Sequence, residues 1–439
     1  MSTKPTCAVI STWCIECGIA GFAHKMVPAL EEHFDVKVFA LNQSIIKPVE
    51  KKIVKLGNDH ITEICEEIKD FDFVNIQFEP GIFGSSPKII FKRINMIIKA
   101  SKKFYVTFHT VRQDAGFRNR TFLRNLISKR PTRALDYWND TALTNNYGKM
   151  YRKFNKGLDN AFCLYHTRSA QKFINLRYPN IKTMDYPLVF ISDDDKQRYK
   201  ESQEADNQWL KKKYNIPQDK ILVSCFGFIS KYKNFETVIE AIYRLPENYH
   251  LMIFGATHPN EVTVGNSFNK YLNDLLGLIE RKSLDIPQIL TEIMESERNL
   301  TLDVSGMLSS GAGTNKVKKP KVTFGGSLDD DDFERAINGS EINVFSYLEV
   351  GQTSSGPIAL SLDLSKKTIA TYNKCFGQLA KYAPAAYTQY DIGNYQQLAS
   401  YIENLTESNQ HAEALERYKE DFNVEDRADK IYKKYLELS

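Results

Sequence analysis

Short runs of β-branched and aromatic residues alternate with helix-length segments along this chain, and they do so in two separate series. The first series reads as strand Cys7–Ser11, helix Phe22–His33, strand Val36–Ala40, helix Ile61–Lys69, strand Phe73–Phe78, helix Lys88–Ala100 and strand Phe104–Phe108. It is interrupted over 112–160, then resumes with strand Ala161–Tyr165 and a helix from Ser169. The second series begins at Ile221–Phe226 and continues with helix Phe235–Leu245 and strand His250–Phe254. It resumes with strand Val322–Phe324, helix Asp331–Ile337, strand Ile342–Phe345, a helix from Gly356 and strand Thr368–Thr371. Strands separated by helices cannot pair as hairpins; they build parallel sheets with helices on both faces. The expected fold is therefore α/β, with two Rossmann-like domains in tandem.

The expected units are an N-terminal domain over 1–195, a second domain over 196–409, and terminal helices over 410–439. The terminal helices have apolar spacing at Leu415, Tyr418, Phe422, Ile431 and Tyr435, suited to packing back on the first domain. The charged stretch Ser192–Lys213 reads as a helix near the boundary. An insertion over 261–320 ends in a Ser-, Gly- and Lys-rich stretch that reads as a loop.

With 439 residues, 42% of them hydrophobic and 26% charged, the chain can fill two globular cores. A net charge of +4 is small for this length and does not argue for nucleic acid. No run approaches the ~20 apolar residues of a membrane span. No signal-peptide pattern opens the sequence, and seven cysteines are an odd number without a framework. These features imply a cytoplasmic protein with reduced thiols, whose sequons (Asn42, Asn119, Asn139, Asn299, Asn338, Asn404) stay unused.

Four segments can carry chemistry. Glu349-Val350-Gly351-Gln352-Thr353-Ser354-Ser355-Gly356-Pro357 follows a strand and opens an apolar helix. Free N–H groups at such a helix start, with small hydroxyl residues, form an anion site suited to a diphosphate. An ordinary N-cap by Ser354 or Ser355 with Pro357 in the first turn is the plainer alternative. Glu349 would repel phosphate unless it faced something else, such as sugar hydroxyls. Gly227, Lys231 and Lys233 lie where the second domain's first strand gives way to a helix, the edge at which open α/β sheets bind ligands. A lysine at a helix start opposes the helix dipole unless it faces an anion; a solvated lysine is the other reading. Gly18 and Gly21 follow Cys14 and Cys17 in the first loop, where small residues permit close backbone approach. The loop lacks a G-x-G-x-x-G fingerprint, and a single C-x-x-C is weak grounds for zinc or redox work. His109 ends one strand and Glu79 follows another, both at the edge facing an inter-domain cleft; a core or capping histidine is the default.

In this order the segments resemble the family 4 retaining glycosyltransferases, which have the GT-B fold of two facing Rossmann-like domains. The likeness is carried by Val74–Gly84 (VNIQFEPGIFG), Phe226–Pro259 and Tyr347–Gly356 (YLEVGQTSSG), most like a branch with a PYxExGQSSSG-type loop. It covers most of the chain outside 112–160 and 261–320. The resemblance implies a nucleotide-sugar donor, a glycan or lipid-linked acceptor, and no metal or other cofactor. It implies that Lys233, with Thr353, Ser354, Ser355 and Gly356, holds the donor diphosphate. Glu349 would hold donor-sugar hydroxyls, His109 would sit beside the transferred sugar, and Gly18 to Gly21 would close over the phosphates.

Three departures from the family pattern stand out. The second glutamate of the Glu-x7-Glu signature falls on Pro357. The arginine after the glycine is Phe228, so Lys231 or an insertion residue is expected to restore part of that charge. The Gly and Pro before the next strand are Ser365 and Lys367. These losses leave open a second reading, a silent GT-B protein that serves as a binding subunit of another transferase. A Rossmann-type oxidoreductase is disfavoured by the broken glycine pattern. The stretch 117–133 carries Arg118, Arg120, Arg124, Lys129, Arg130 and Arg133 among Phe117, Phe122, Leu123 and Leu126. Such a segment suits peripheral contact with an anionic membrane, and equally a solvated basic helix.

Overall fold

The computed structural model describes residues 4–15, 17–112, 131–256, 270–283, 320–349 and 353–438. Nearly all of the basic stretch 117–133, most of the insertion 261–320, and Val350, Gly351 and Gln352 of the loop 349–356 lie outside these residues.

Two six-stranded sheets form, each with every pairing parallel. The first holds β1 (Thr6–Ser11), β2 (Asp35–Ala40), β3 (Phe73–Phe78), β4 (Phe104–Phe108), β5 (Ala161–Tyr165) and β6 (Thr183–Asp185), in the order β2-β1-β3-β4-β5-β6. The second holds β7 (Ile221–Phe226), β8 (Tyr249–Phe254), β9 (Val322–Gly326), β10 (Ile342–Phe345), β11 (Thr368–Thr371) and β12 (Thr388–Tyr390), in the order β12-β11-β10-β7-β8-β9. Central strands such as β3, FVNIQF, are buried along their whole length, as expected for a sheet covered on both faces. Each order reverses beside its first strand, between β1 and β3 and between β7 and β10. Loops leaving two such strands diverge to opposite faces and open a crevice between them. Gly18 and Gly21 follow β1, Glu79 follows β3, Gly227, Lys231 and Lys233 follow β7, Glu349 to Gly356 follow β10, and His109 follows β4, one strand further along.

Most strand positions agree with the sequence reading; several helices differ in extent. The first helix runs Gly18–Glu31, so both loop glycines sit in its first turn. The third runs Lys51–Ile68, ten residues earlier than the apolar spacing suggests. Its early turns face Arg93, a fully buried side chain that donates to the carbonyls of Ile46 and Phe83 at 2.8 and 2.9 Å. Polar residues can line a buried face when a guanidinium satisfies the backbone there.

The crossover segment between the sheets leads into the Asp193–Lys213 helix, capped by Ser192 and acidic in its first turn, basic in its last. The terminal helix Val424–Leu436 packs on the first helix. His33 pairs with Asp429 at 2.6 Å, and Phe34 meets Tyr432 and Tyr435 edge-on. None of the helices among the described residues is long and apolar enough to cross a membrane.

Candidate functional site

In the second domain the chain leaves β7 through Gly227, whose φ of +110° suits only glycine. A Cβ there would stand 2.7 Å from Lys233 Nζ. The short 3-10 turn Lys231–Lys233 follows, and Asn234 in the left-handed region (φ 53°) turns the chain into the Phe235–Ile242 helix. This geometry folds Lys233 inward, to 3% exposure, and leaves Lys231 exposed.

Lys233 donates to the Tyr347 hydroxyl, and its ammonium lies 3.7 Å from the centre of that ring. Tyr347 in turn lies 3.2 Å from Ser355 Oγ, so one short polar chain joins both candidate loops. The loops are also tied by backbone: Leu348 N–H donates to Tyr232 O at 2.8 Å, and Ser346 Oγ donates to Asn234 O at 3.0 Å. Among the described residues no carboxylate pairs with Lys233. Burial without a counter-charge pulls its pKa from 10.5 down to about 7. An anion arriving beside it would supply that missing charge.

The Gly356–Leu364 helix begins after Ser355, whose side chain does not cap it. Its first N–H groups therefore stay unclaimed by their own cap, which removes the plainer N-cap reading for Ser355. Gly356 stands against Phe190 of the crossover segment, and a Cβ added to it would meet that ring at 3.4 Å. Thr353 Oγ1 accepts from Val111 N–H at 3.4 Å, a bond that spans the cleft. Ser354 is half-buried beside it. Glu349 is exposed, and one carboxylate oxygen accepts the Lys374 N–H at 2.9 Å, at the start of the Lys374–Leu379 helix. Phe228, where the sequence resemblance expects an arginine, is 42% exposed and offers no charge.

Across the cleft, the edge of the first sheet holds Glu79, His109 and the first helix start. Gly18 has open space where a side chain would stand, and Gly21 faces Asp330 of the second domain at 4.0 Å. Neither glycine has positive φ; Gly18 provides room at the helix start, while the Gly21 N–H is already given to Cys17 O at 3.1 Å. His109 Nε2 lies 2.9 Å from Gln77 Oε1. The Gln77 amide nitrogen is already committed to Asn75 at 2.7 Å, so the imidazole donates from Nε2 and keeps Nδ1 as an acceptor. Phe22 packs edge-on against this ring at 5.1 Å, and the His166 ring lies 5.1 Å away. Burial, and then the charge of Arg427, hold the His109 pKa down at about 3. His109 is thus a neutral imidazole at any physiological pH. Glu79 follows β3 with its pKa raised by burial, against a hydrogen bond from Thr110 and the charge of Arg112.

Sequence reasoning found the loops but missed Tyr347, Phe22, His166 and Arg427. Tyr347 alone left a readable trace, since it opens the segment YLEVGQTSSG. A separate cavity of about 220 Å³ beside the crossover is lined by Lys196, Lys200, Lys366 and Lys419. Three of these lysines pair with Asp193 or Glu416, which leaves little unspent charge there.

No protein-family model matches the chain, and no curated protein matches it in sequence. Solved structures do match over nearly its whole length. HepE of Anabaena, solved in complex with UDP and glucose, is 12% identical, covers 98% of both chains and gives a TM-score of 0.56. A glycosyltransferase from Rickettsia africae is 14% identical over 99% of this chain and 100% of its own, with a TM-score of 0.58. Sucrose-phosphate synthase from Thermosynechococcus elongatus is 13% identical over 99% of each, with a TM-score of 0.59. Together with the two parallel sheets, these likenesses establish that the chain has the GT-B fold.

Proposed function

We propose that this protein is a retaining glycosyltransferase, akin to family 4, that moves a sugar from a nucleotide donor to a glycan or lipid-linked acceptor. The observation that carries this reading is Lys233: a buried ammonium without a carboxylate partner among the described residues, at the sheet's switch point, joined through Tyr347 to an uncapped helix start. A diphosphate is the ligand that would use both the charge and the free N–H groups. Structures of the same fold hold UDP and UDP-glucose, which supports a uridine-type donor class.

In this reading Lys233, Thr353, Ser354, Ser355 and Gly356 receive the diphosphate, and the exposed Lys231 replaces part of the charge lost at Phe228. Gly18 and Gly21 bring the first helix start toward the same group. Glu349 holds sugar hydroxyls, and neutral His109 stands beside the transferred sugar with Glu79 toward the acceptor. Stabilising the departing diphosphate would be the main catalytic work, and that oxygen would take the acceptor's proton. No metal or other cofactor is required by this chemistry. The basic stretch 117–133 would bring a cytoplasmic enzyme to an anionic membrane surface.

The second reading, a silent binding subunit, is favoured by Pro357 and Phe228, where the family has its second glutamate and an arginine. Turnover of a nucleotide-sugar panel, with thermal shift as the binding readout, separates the two. The transferase reading expects stabilisation by one donor and release of its nucleoside diphosphate, with Glu349→Ala cutting turnover at least about a hundredfold. Binding without turnover for every sugar would favour the subunit. A wild-type rate in Glu349→Ala would remove that residue from the site.

A further inference from the structure

The terminal helix sends Arg427 into the interior against the Phe22 ring, which also packs on His109. Arg427 is 0% exposed, and its guanidinium lies 4.4 Å from the centre of the Phe22 ring. Phe22 is the hub of the region, meeting His109 at 5.1 Å, His166 at 5.4 Å and Phe190 at 5.8 Å. Arg427 Nη1 donates to Val189 O at 3.1 Å, while Nε and Nη2 have no partner among the described residues. The neighbouring crossover residue, Phe190, gives its N–H to Asp363 of the Gly356–Leu364 helix at 3.0 Å. One guanidinium thus touches the first helix and the crossover, and the crossover holds the helix that begins at the donor loop.

As packing alone this arrangement is poor. A buried guanidinium that makes one hydrogen bond costs desolvation that a methionine of similar length would not, and such replacements are often neutral or stabilising. We propose that Arg427 is a positioning residue: from the terminal helix, its guanidinium clamps the Phe22 ring and the Val189 carbonyl, and so fixes where His109 stands in the cleft. This rests on the reading that His109 lies beside the transferred sugar. The groups facing His109 are Gln77 from β3, His166 after β5, Phe22 from the first helix and Arg427 from the terminal helix. Arg427 is itself faced by Tyr186, Tyr105, Asp363 and Glu425. Burial does most to lower the proton affinity of His109 and His166, and the positive charge of Arg427 adds to it in both.

The test uses the full chain with Arg427→Met and Arg427→Lys, reading histidine ring protons by NMR from about pH 5 to about pH 8, and transfer kinetics. In the wild type His109 stays neutral throughout. In Arg427→Met, the His109 ring-proton shifts, set in part by the edge-on Phe22 ring, move from their wild-type positions, and kcat falls at least about tenfold with donor KM within about threefold. Arg427→Lys returns the His109 shifts toward wild type and recovers part of kcat. Unchanged His109 shifts in Arg427→Met overturn the proposal, and so do moved shifts with wild-type kcat. If the wild type transfers no sugar at all, the transferase reading fails on its own, and the His109 shifts still decide whether Arg427 positions His109. Should Arg427→Met not fold, Phe22→Leu, which removes the ring between guanidinium and imidazole, must lower kcat at least about fivefold; a wild-type rate overturns the proposal.

Discussion

An ammonium stripped of water holds its proton less firmly, and Lys233 is 3% exposed with a tyrosine hydroxyl and two aromatic faces beside it. With its pKa at about 7, the free protein near pH 8 carries Lys233 largely uncharged. A bound diphosphate would favour the ammonium, so donor binding near that pH draws in a proton. Calorimetry in two buffers of different ionisation heat is expected to show uptake approaching one proton at about pH 8, and none in Lys233→Met. Donor affinity is expected to fall as pH rises through about 7. The stability of the free protein runs the other way. Between the folded value of about 7 and the ordinary 10.5, the unfolded chain binds more protons than the folded one, so stability rises with pH across that window. Zero proton uptake in the wild type would show that Lys233 is already charged before the donor arrives.

Helix packing in the second domain depends on a close approach that glycine alone permits. A Cβ on Gly339, at the end of the Asp330–Gly339 helix, would fall 2.6 Å from the backbone of Asp206 in the Asp193–Lys213 helix. The approach is sealed by polar groups: Asn207 donates to Gly339 O at 2.7 Å, Asn338 to Asp206 at 2.9 Å, and Arg335 to Asp206 at 2.9 Å. Because the obstacle is backbone, Gly339→Ala must push the helices apart. It is expected to cost about 2 kcal/mol, read as a lower midpoint of urea unfolding with an unchanged slope. An unshifted midpoint would mean that the pair relaxes freely. This contact also marks what the sequence could reveal. The alternation of strands and helices is local, carried by side chains within a few residues, so β3, β4, β7 and β10 could be placed from it. The loop 349–356 and Lys233 stood out for the same reason, as strand-end turns with unusual residue types. Gly339 carries no such mark, because its requirement comes from a helix 132 residues away. Arg427 was hidden likewise: an arginine on an amphipathic helix reads as solvated until its partners are seen.

At the scale of the whole molecule, polar contacts join the two halves beside the apolar cluster that they share. Lys25 of the first helix pairs with Glu334 of the second domain at 2.7 Å, and Glu334 is 3% exposed. Tyr199 donates to the same carboxylate at 2.8 Å, so Glu334 is held from its own domain and met by Lys25 from the other. On the far side of the cleft Tyr382 donates to Asp185 at 2.7 Å, and Arg168 to Lys381 O at 2.9 Å. The Lys25 pair lies one helical turn along from the place where Gly21 faces Asp330. Removing only the lysine leaves a buried carboxylate with a tyrosine and no cation, which costs more than the pair contributes. Lys25→Met is therefore expected to destabilise the closed arrangement, enlarging the radius of gyration in small-angle scattering and raising donor KM several-fold. Glu334→Gln keeps the hydrogen bond to Tyr199 while removing the stranded charge. The double variant Lys25→Met/Glu334→Gln is then expected to recover part of the loss, with a coupling energy of about 1–2 kcal/mol in a double-mutant cycle. Additive single effects would show that the two groups do not communicate in solution. Closure of the cleft would then rest on the Tyr382 side and the terminal helix.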